Sequence, residues 1–144
     1  MNVIAFSVLR FEGSYPRKSV EPVIDGIPLI KLVAEFESAQ GWEPAGGYGA
    51  LDQIFSHLQD YFVGREDLSC FGDSGKIALL GCSCFEVGCW PLLAKVSIEP
   101  GRVTWSQFEQ PHREEEWDYG GFGPFVFDTE QYGAAIQELV RELA

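Results

Sequence analysis

The stretch Ala94-Lys95-Val96-Ser97-Ile98-Glu99-Pro100-Gly101-Arg102-Val103-Thr104-Trp105-Ser106 decides the fold. Pro100 and Gly101 stand where a type II turn needs a fixed φ followed by a positive one. Closing the chain there sets Ile98 opposite Val103 and Val96 opposite Trp105. Ala94, Val96, Ile98, Val103 and Trp105 then share one face. Lys95, Ser97, Glu99, Arg102, Thr104 and Ser106 share the other. A slip of one residue would turn the apolar set into water, so the pattern specifies this register.

Working outward, the pair belongs to a meander over Lys76 to Cys84, Cys89 to Glu99 and Arg102 to Glu109. Pro124 to Phe127 reads as a further strand. A helix then runs to the end of the sequence, with Asp128 as its cap and Gln131 at the capping-box position. Tyr132, Ala135, Ile136, Leu139, Val140 and Leu143 form its apolar stripe. Toward the N-terminus, Val3 to Phe11 reads as a strand with apolar residues on both faces. Arg17 to Glu21 is polar and reads as a loop, and Asp25-Gly26 marks a turn. Pro28 suits a first helical position, and Leu29, Leu32, Val33 and Phe36 follow at helical spacing to Gln40. Gly41 to Gly49 reads as a loop. Leu51, Ile54, Phe55, Leu58 and Phe62 predict a second helix. Gly64 to Gly75 reads as loop, and its Gly72-Asp73-Ser74-Gly75 as a turn rather than a protease nucleophile.

Three of the four cysteines, Cys82, Cys84 and Cys89, crowd into eight positions at the facing ends of the first two meander strands. With His112 or Cys70 as a fourth ligand they would suit zinc. The spacing argues against it, because zinc pairs generally carry two residues between cysteines. A Cys-x-Cys pair on a strand spans about 6.5 Å of backbone. A loop closed by Gly88 sets Phe85 opposite Cys89 and Cys82 opposite Leu92, so Cys82 and Cys84 face the core and Cys89 does not. Free cysteine is among the most buried residue types, and core thiols are the favoured reading.

Composition narrows the function classes. The chain has 144 residues, 46% of them hydrophobic, which fits one folded domain over residues 1–144. Acidic residues number 22 against 10 basic ones, a net charge of −12. Such a surface repels phosphate backbones and is suited to a basic protein partner, so nucleic acid is not expected. No apolar run reaches the roughly 20 residues of a membrane helix. The start Met1-Asn2-Val3-Ile4-Ala5-Phe6 has no basic n-region, and a cytoplasmic protein with reduced thiols is expected.

Two segments carry candidate binding residues. His112 lies in Gln110-Pro111-His112-Arg113, close in sequence to Glu114, Glu115, Glu116 and Asp118. Acid–base chemistry would need one of these carboxylates beside the imidazole, and a solvated acidic loop is the simpler expectation. Trp117, Tyr119, Phe122, Phe125 and Phe127 form an aromatic cluster laced with glycines. It suits a binding surface, or a plug for the sheet beneath the last helix, the latter being favoured.

Leu80-Gly81-Cys82-x-Cys84, Cys89-Trp90-Pro91-Leu92-Leu93, Trp105-Ser106-x-Phe108-x-Gln110-Pro111-His112-Arg113 and Gly123-Pro124-Phe125 resemble motifs of a group of small, acidic, uncharacterised bacterial proteins. The resemblance covers the second half well and the first half loosely. It implies no activity and transfers no residue role.

The expected fold is α+β, an antiparallel sheet of four to six strands with about three helices packed on it. The expected function is protein binding by a non-catalytic factor of immunity or accessory type, with His112, Trp117 and Tyr119 as candidate contacts and no cofactor. One alternative is a small zinc-binding protein using Cys82, Cys84, Cys89 and His112. The other is an enzyme or small-molecule binder built around His112.

Overall fold

The computed structural model describes residues 1–14, 17–42, 47–52, 58–63, 76–82, 91–110 and 118–143. Its fold is α+β, with the strands divided between two antiparallel sheets rather than gathered in one. The first sheet holds β1 (Ile4–Phe11), β2 (Arg17–Ile24), β3 (Ile27–Pro28) and β5 (Leu51–Asp52), the last pairing with β2. The second runs in the order β4 (Tyr48–Gly49), β6 (Ile77–Cys82), β7 (Leu92–Glu99), β8 (Arg102–Glu109) and β9 (Phe125–Asp128). The helices are α1 (Leu29–Gln40), α2 (Leu58–Tyr61) and α3 (Thr129–Leu143).

The two sheets meet at both ends. Through buried Ala50 the chain passes from β4, paired with β6, directly into β5, paired with β2. At the other end Asn2 bridges to Phe127, donating its N–H to the Val126 carbonyl at 2.7 Å. Its side-chain oxygen accepts the Val126 N–H at 2.9 Å.

The β7–β8 pairing has the expected register, with Val96 opposite Trp105, Ile98 opposite Val103, and Gly101 at φ 80°. The core face is only partly buried, however: Ala94 and Trp105 are fully enclosed, while Ile98 is 52% exposed. Farther along β8 the register shifts by one residue, and Gln107 takes the left-handed φ of 52°. This bulge moves burial from the odd positions Val103 and Trp105 to the even positions Phe108 and Gln110.

A second irregularity lies between Ala78 and Leu80. The expected pairing of Cys82 with Leu92 is corrected: Leu80 stands opposite Leu92, because the pairing of Ile77 with Ala94 sets the register and the one-residue shift that follows does not reach the expected one. Residues Ile77 to Leu80 and Leu92 to Ala94 are buried on both faces, as their unbroken apolar runs imply.

Arg17 to Glu21, expected as a loop, belongs to β2. Its strand signal is confined to the run Val20 to Ile24, where buried Val20, Pro22 and Ile24 alternate with partly solvated Glu21 and Val23. Pro22 is accommodated by the pairing. The Gln131 side chain bonds both the N–H and the C=O of Ile4, at 3.0 and 2.6 Å, so these groups point away from β2. Ile4–Ile24 is then a non-hydrogen-bonded pair, and Phe6–Pro22 is another of the same parity. The proline nitrogen faces the gap between β3 and β5, where no N–H is required. β1 is less covered than its composition suggests: α3 packs against it, yet Leu9 and Phe11 stay exposed.

The Asp25-Gly26 turn has positive φ at both residues, 54° and 82°, as a two-residue primed hairpin requires. Asp25 tolerates this because its carboxylate accepts from Asn2 Nδ2 and the Val3 N–H, each at 2.7 Å. The same bonds, that from Asn2 first, hold its carboxyl below the usual range. Stability from Asp25 is thus present above the ordinary carboxylate pKa and lost as pH falls through the depressed one. Asp25→Asn should flatten the acid limb of a pH–stability profile; an unchanged limb would remove Asp25 as a contributor.

α1 stops in a Schellman motif. Gly41, at φ 77°, donates to Ser38 O at 3.0 Å and Trp42 to Glu37 O at 3.1 Å. Gly41→Ala should cost about 1–2 kcal/mol by forcing a Cβ into the left-handed region, measurable by denaturant titration. The second expected helix is shorter than its apolar spacing implies. Leu51 is in β5, and helix begins at Leu58 among the described residues. In α3, Asp128 Oδ2 caps the Gln131 N–H at 3.1 Å, but Gln131 spends its own side chain on β1 rather than completing a capping box.

Candidate functional site

Of the residues singled out by sequence, Tyr119 is the one whose side chain is described. His112, Trp117, Cys84 and Cys89 lie outside the described residues. Cys82 is placed as the last residue of β6, with its backbone opposite Tyr48. Among the described residues no group of three or more His, Cys, Asp or Glu side chains is arranged to hold a metal.

Tyr119 is buried and belongs to a chain of polar groups. Its phenol donates to Glu37 Oε2, and its oxygen lies 2.7 Å from the Tyr48 hydroxyl, which is left to donate to it. Glu37 is fully buried. It occupies the third place in the row Leu29, Val33, Glu37, at the i, i+4, i+8 spacing of the helix face that enters the core. Sequence reasoning passed over Glu37 because its phenol partner lies 82 residues away. The signal it did offer was a carboxylate in an apolar row.

Aromatic rings enclose these groups. Trp42 is delivered by the Schellman turn, packs on Phe36 at 5.7 Å, and meets Tyr119 edge-on at 5.4 Å. Phe36 stacks on Tyr119 at 6.0 Å, and Phe122 closes on Phe36 at 5.3 Å. The aromatic segment therefore divides. Tyr119 and Phe122 pack against α1, while Phe127 lies under α3 against Trp105 and Tyr132. The expected plug beneath the last helix holds for Phe127 and is corrected for Tyr119 and Phe122, while Trp117 lies outside the described residues. Burial first, with Glu37 adding, pushes the Tyr48 and Tyr119 phenols far above their ordinary 10. Both stay protonated and tie α1 to β4 and to the 118–122 turn.

A second feature is open. Between α2, α3 and the β7–β8 turn lies a groove of about 370 Å³. Val63, Ile98, Val103, Tyr132 and Ile136 give it apolar walls, and Gln59, Thr129 and Gln137 supply neutral hydrogen-bonding groups. Tyr132 is the sole titratable residue in this lining. Its hydroxyl is occupied, donating to Phe62 O at 2.5 Å and accepting from Trp105 Nε1 at 3.0 Å. Tyr132→Phe should therefore cost about 2 kcal/mol, because a buried carbonyl and a buried indole N–H each lose a partner. A denaturant midpoint unchanged from wild type would contradict that accounting. The groove is equipped to hold an apolar group, and its lining among the described residues holds no acid–base pair.

The chain matches no protein-family model, no curated protein and no solved structure at a significant level. The site is consequently read from its own geometry. Among the described residues no helix is long and apolar enough to cross a membrane.

Proposed function

We propose that the chain is a non-catalytic, cytoplasmic protein-binding factor of immunity or accessory type, and that its partner is a basic protein. Its kinship with the small acidic bacterial proteins that its second half resembles is part of the same proposal. The observation that carries it is the open, uncharged groove in a molecule of net charge −12. The groove offers burial for an apolar anchor, and the acidic surface offers steering toward positive charge. The polar groups buried nearby are spent on internal hydrogen bonds.

Affinity capture from the native host tests this reading. A basic protein should be retained at low salt and released as the Debye length shrinks to a few ångströms near 1 M. Recovery of no basic partner at low salt would overturn it. The reading also treats Cys82, Cys84 and Cys89 as thiols. Purified protein should titrate all four cysteines on denaturation and carry no stoichiometric zinc. One tightly held zinc per chain would instead favour metal binding through these residues and His112.

A further inference from the structure

We propose that the groove between α2, α3 and the β7–β8 turn receives an apolar side chain from a partner segment that carries Lys or Arg beside that anchor. This deepens the protein-binding reading and rests on it. Three observations converge. The first is the pocket itself, apolar and about 370 Å³, with Ile98 at its rim 52% exposed. That size is within the range of sites that bury small apolar groups.

The second is Gly133. It lines the groove from the interior of α3, where glycine is the poorest helix former after proline. A Cβ built on it would meet nothing within 4 Å, so no packing within the described molecule requires its absence. Glycine in such a place lets another chain approach the helix backbone closely.

The third is charge. Among the described residues no ionised group lines the groove, but exposed carboxylates lie next to lining residues in α2 and at the start of α3: Asp60 follows Gln59, and Asp128 precedes Thr129. Glu130 lies three residues before Gly133 and so on the neighbouring turn of the same helix face. Arg102, the base on the adjoining strand end, is already 3.8 Å from Glu99. An apolar anchor flanked by cations is complementary to this arrangement, and one flanked by carboxylates is repelled.

Three short synthetic peptides test the proposal against isotope-labelled protein by NMR: an amphipathic Lys/Leu peptide, a Glu/Leu peptide with the same apolar face, and a Lys/Ser peptide without an anchor. The Lys/Leu peptide should shift the Gly133 amide and the Ile98 and Ile136 methyl signals to saturation. The other two should bind about tenfold or more weakly, the scale of one lost buried leucine or of the lost attraction. Gly133→Leu, which fills the floor, and Ile98→Lys, which sets a cation on an exposed rim, should each weaken the Lys/Leu peptide to a similar degree while keeping the wild-type spectrum elsewhere. Signals that shift away from the groove, a Lys/Ser peptide that binds equally well, or variants with unchanged affinity would each overturn the proposal. If a basic host partner is captured and ignores both substitutions, the protein-binding reading survives and the groove assignment fails. If the peptide seats in the groove but no host partner exists, the reverse holds.

Discussion

Raising the pH past about 10 is expected to unfold the protein. Tyr48, Tyr119 and Tyr132 are buried, and desolvation first of all drives each phenol well above its ordinary value of 10. For Tyr119 the charge of Tyr48 and its bond to Glu37 push the same way. A folded pKa raised above the unfolded one means that the contribution is fully present below pH 10. It is lost as pH climbs from there toward the folded pKa, because the unfolded chain releases protons that the native state retains. Each such tyrosine removes about 1.4 kcal/mol per pH unit, so Tyr48 and Tyr132 together remove about 3 kcal/mol per unit, and Tyr119 acts in the same direction. Against a typical domain stability of about 5–15 kcal/mol, two or three units suffice. Phenolate absorbance and circular dichroism followed together should show the buried tyrosines ionising only as secondary structure is lost. Phenolate from these tyrosines near pH 10 in a protein of unchanged dichroism would contradict their burial.

Trp105→Ala should be the most damaging single substitution in the core. The indole is fully buried on β8, lies edge-on to Phe127 at 5.0 Å and to Tyr132 at 6.1 Å, and bonds the Tyr132 hydroxyl. Truncation to alanine opens a cavity and removes the N–H that this α3 hydroxyl accepts, at a cost of about 3–5 kcal/mol. On a small domain this is a large share of the total. Trp105→Phe keeps most of the volume but not the N–H, so it should cost less. A chemical-denaturation series would show wild type, then Phe, then Ala in falling midpoint. An alanine variant within about 1 kcal/mol of wild type would mean that Trp105 is not the joint between β8 and α3 that its contacts describe.

Both effects depend on residues whose partners are remote in sequence, and this marks how far sequence reading reaches. The β7–β8 register was legible because Pro100 and Gly101 impose the turn locally and the alternation on either side agrees with it. The Asp25-Gly26 hairpin, the Asp128 cap and the α3 stripe were legible for the same reason. The bulges were not. Nothing in Gln107 or Leu79 marks an extra residue, and Leu92 stands opposite Leu80, two residues from the expected pairing with Cys82. β2 was missed because its polar face dominates its composition while Val20 and Ile24 carry the burial. The Leu51 to Phe62 spacing imitated one helix, although Leu51 is recruited by β2 across 31 residues of chain.

The candidate site was legible only in part. Tyr119 was singled out as an aromatic in a glycine-laced segment, but its bond to Glu37 depends on the closure of the fold. The groove gathers residues from Gln59 to Gln137, and no local pattern joins them. One local sign existed: Gly133 interrupts the most regular helical stripe in the chain.

That glycine offers the most direct test. Alanine at position 133 improves helix propensity by about 1 kcal/mol and meets no neighbour, so the folded protein should become more stable. If the groove exists for an occupant that approaches the helix backbone, the same methyl group should weaken binding. Melting temperature and affinity for the Lys/Leu peptide, measured on one Gly133→Ala sample, should therefore move in opposite senses, the first upward and the second downward. A raised melting temperature with affinity equal to or better than wild type would contradict the account.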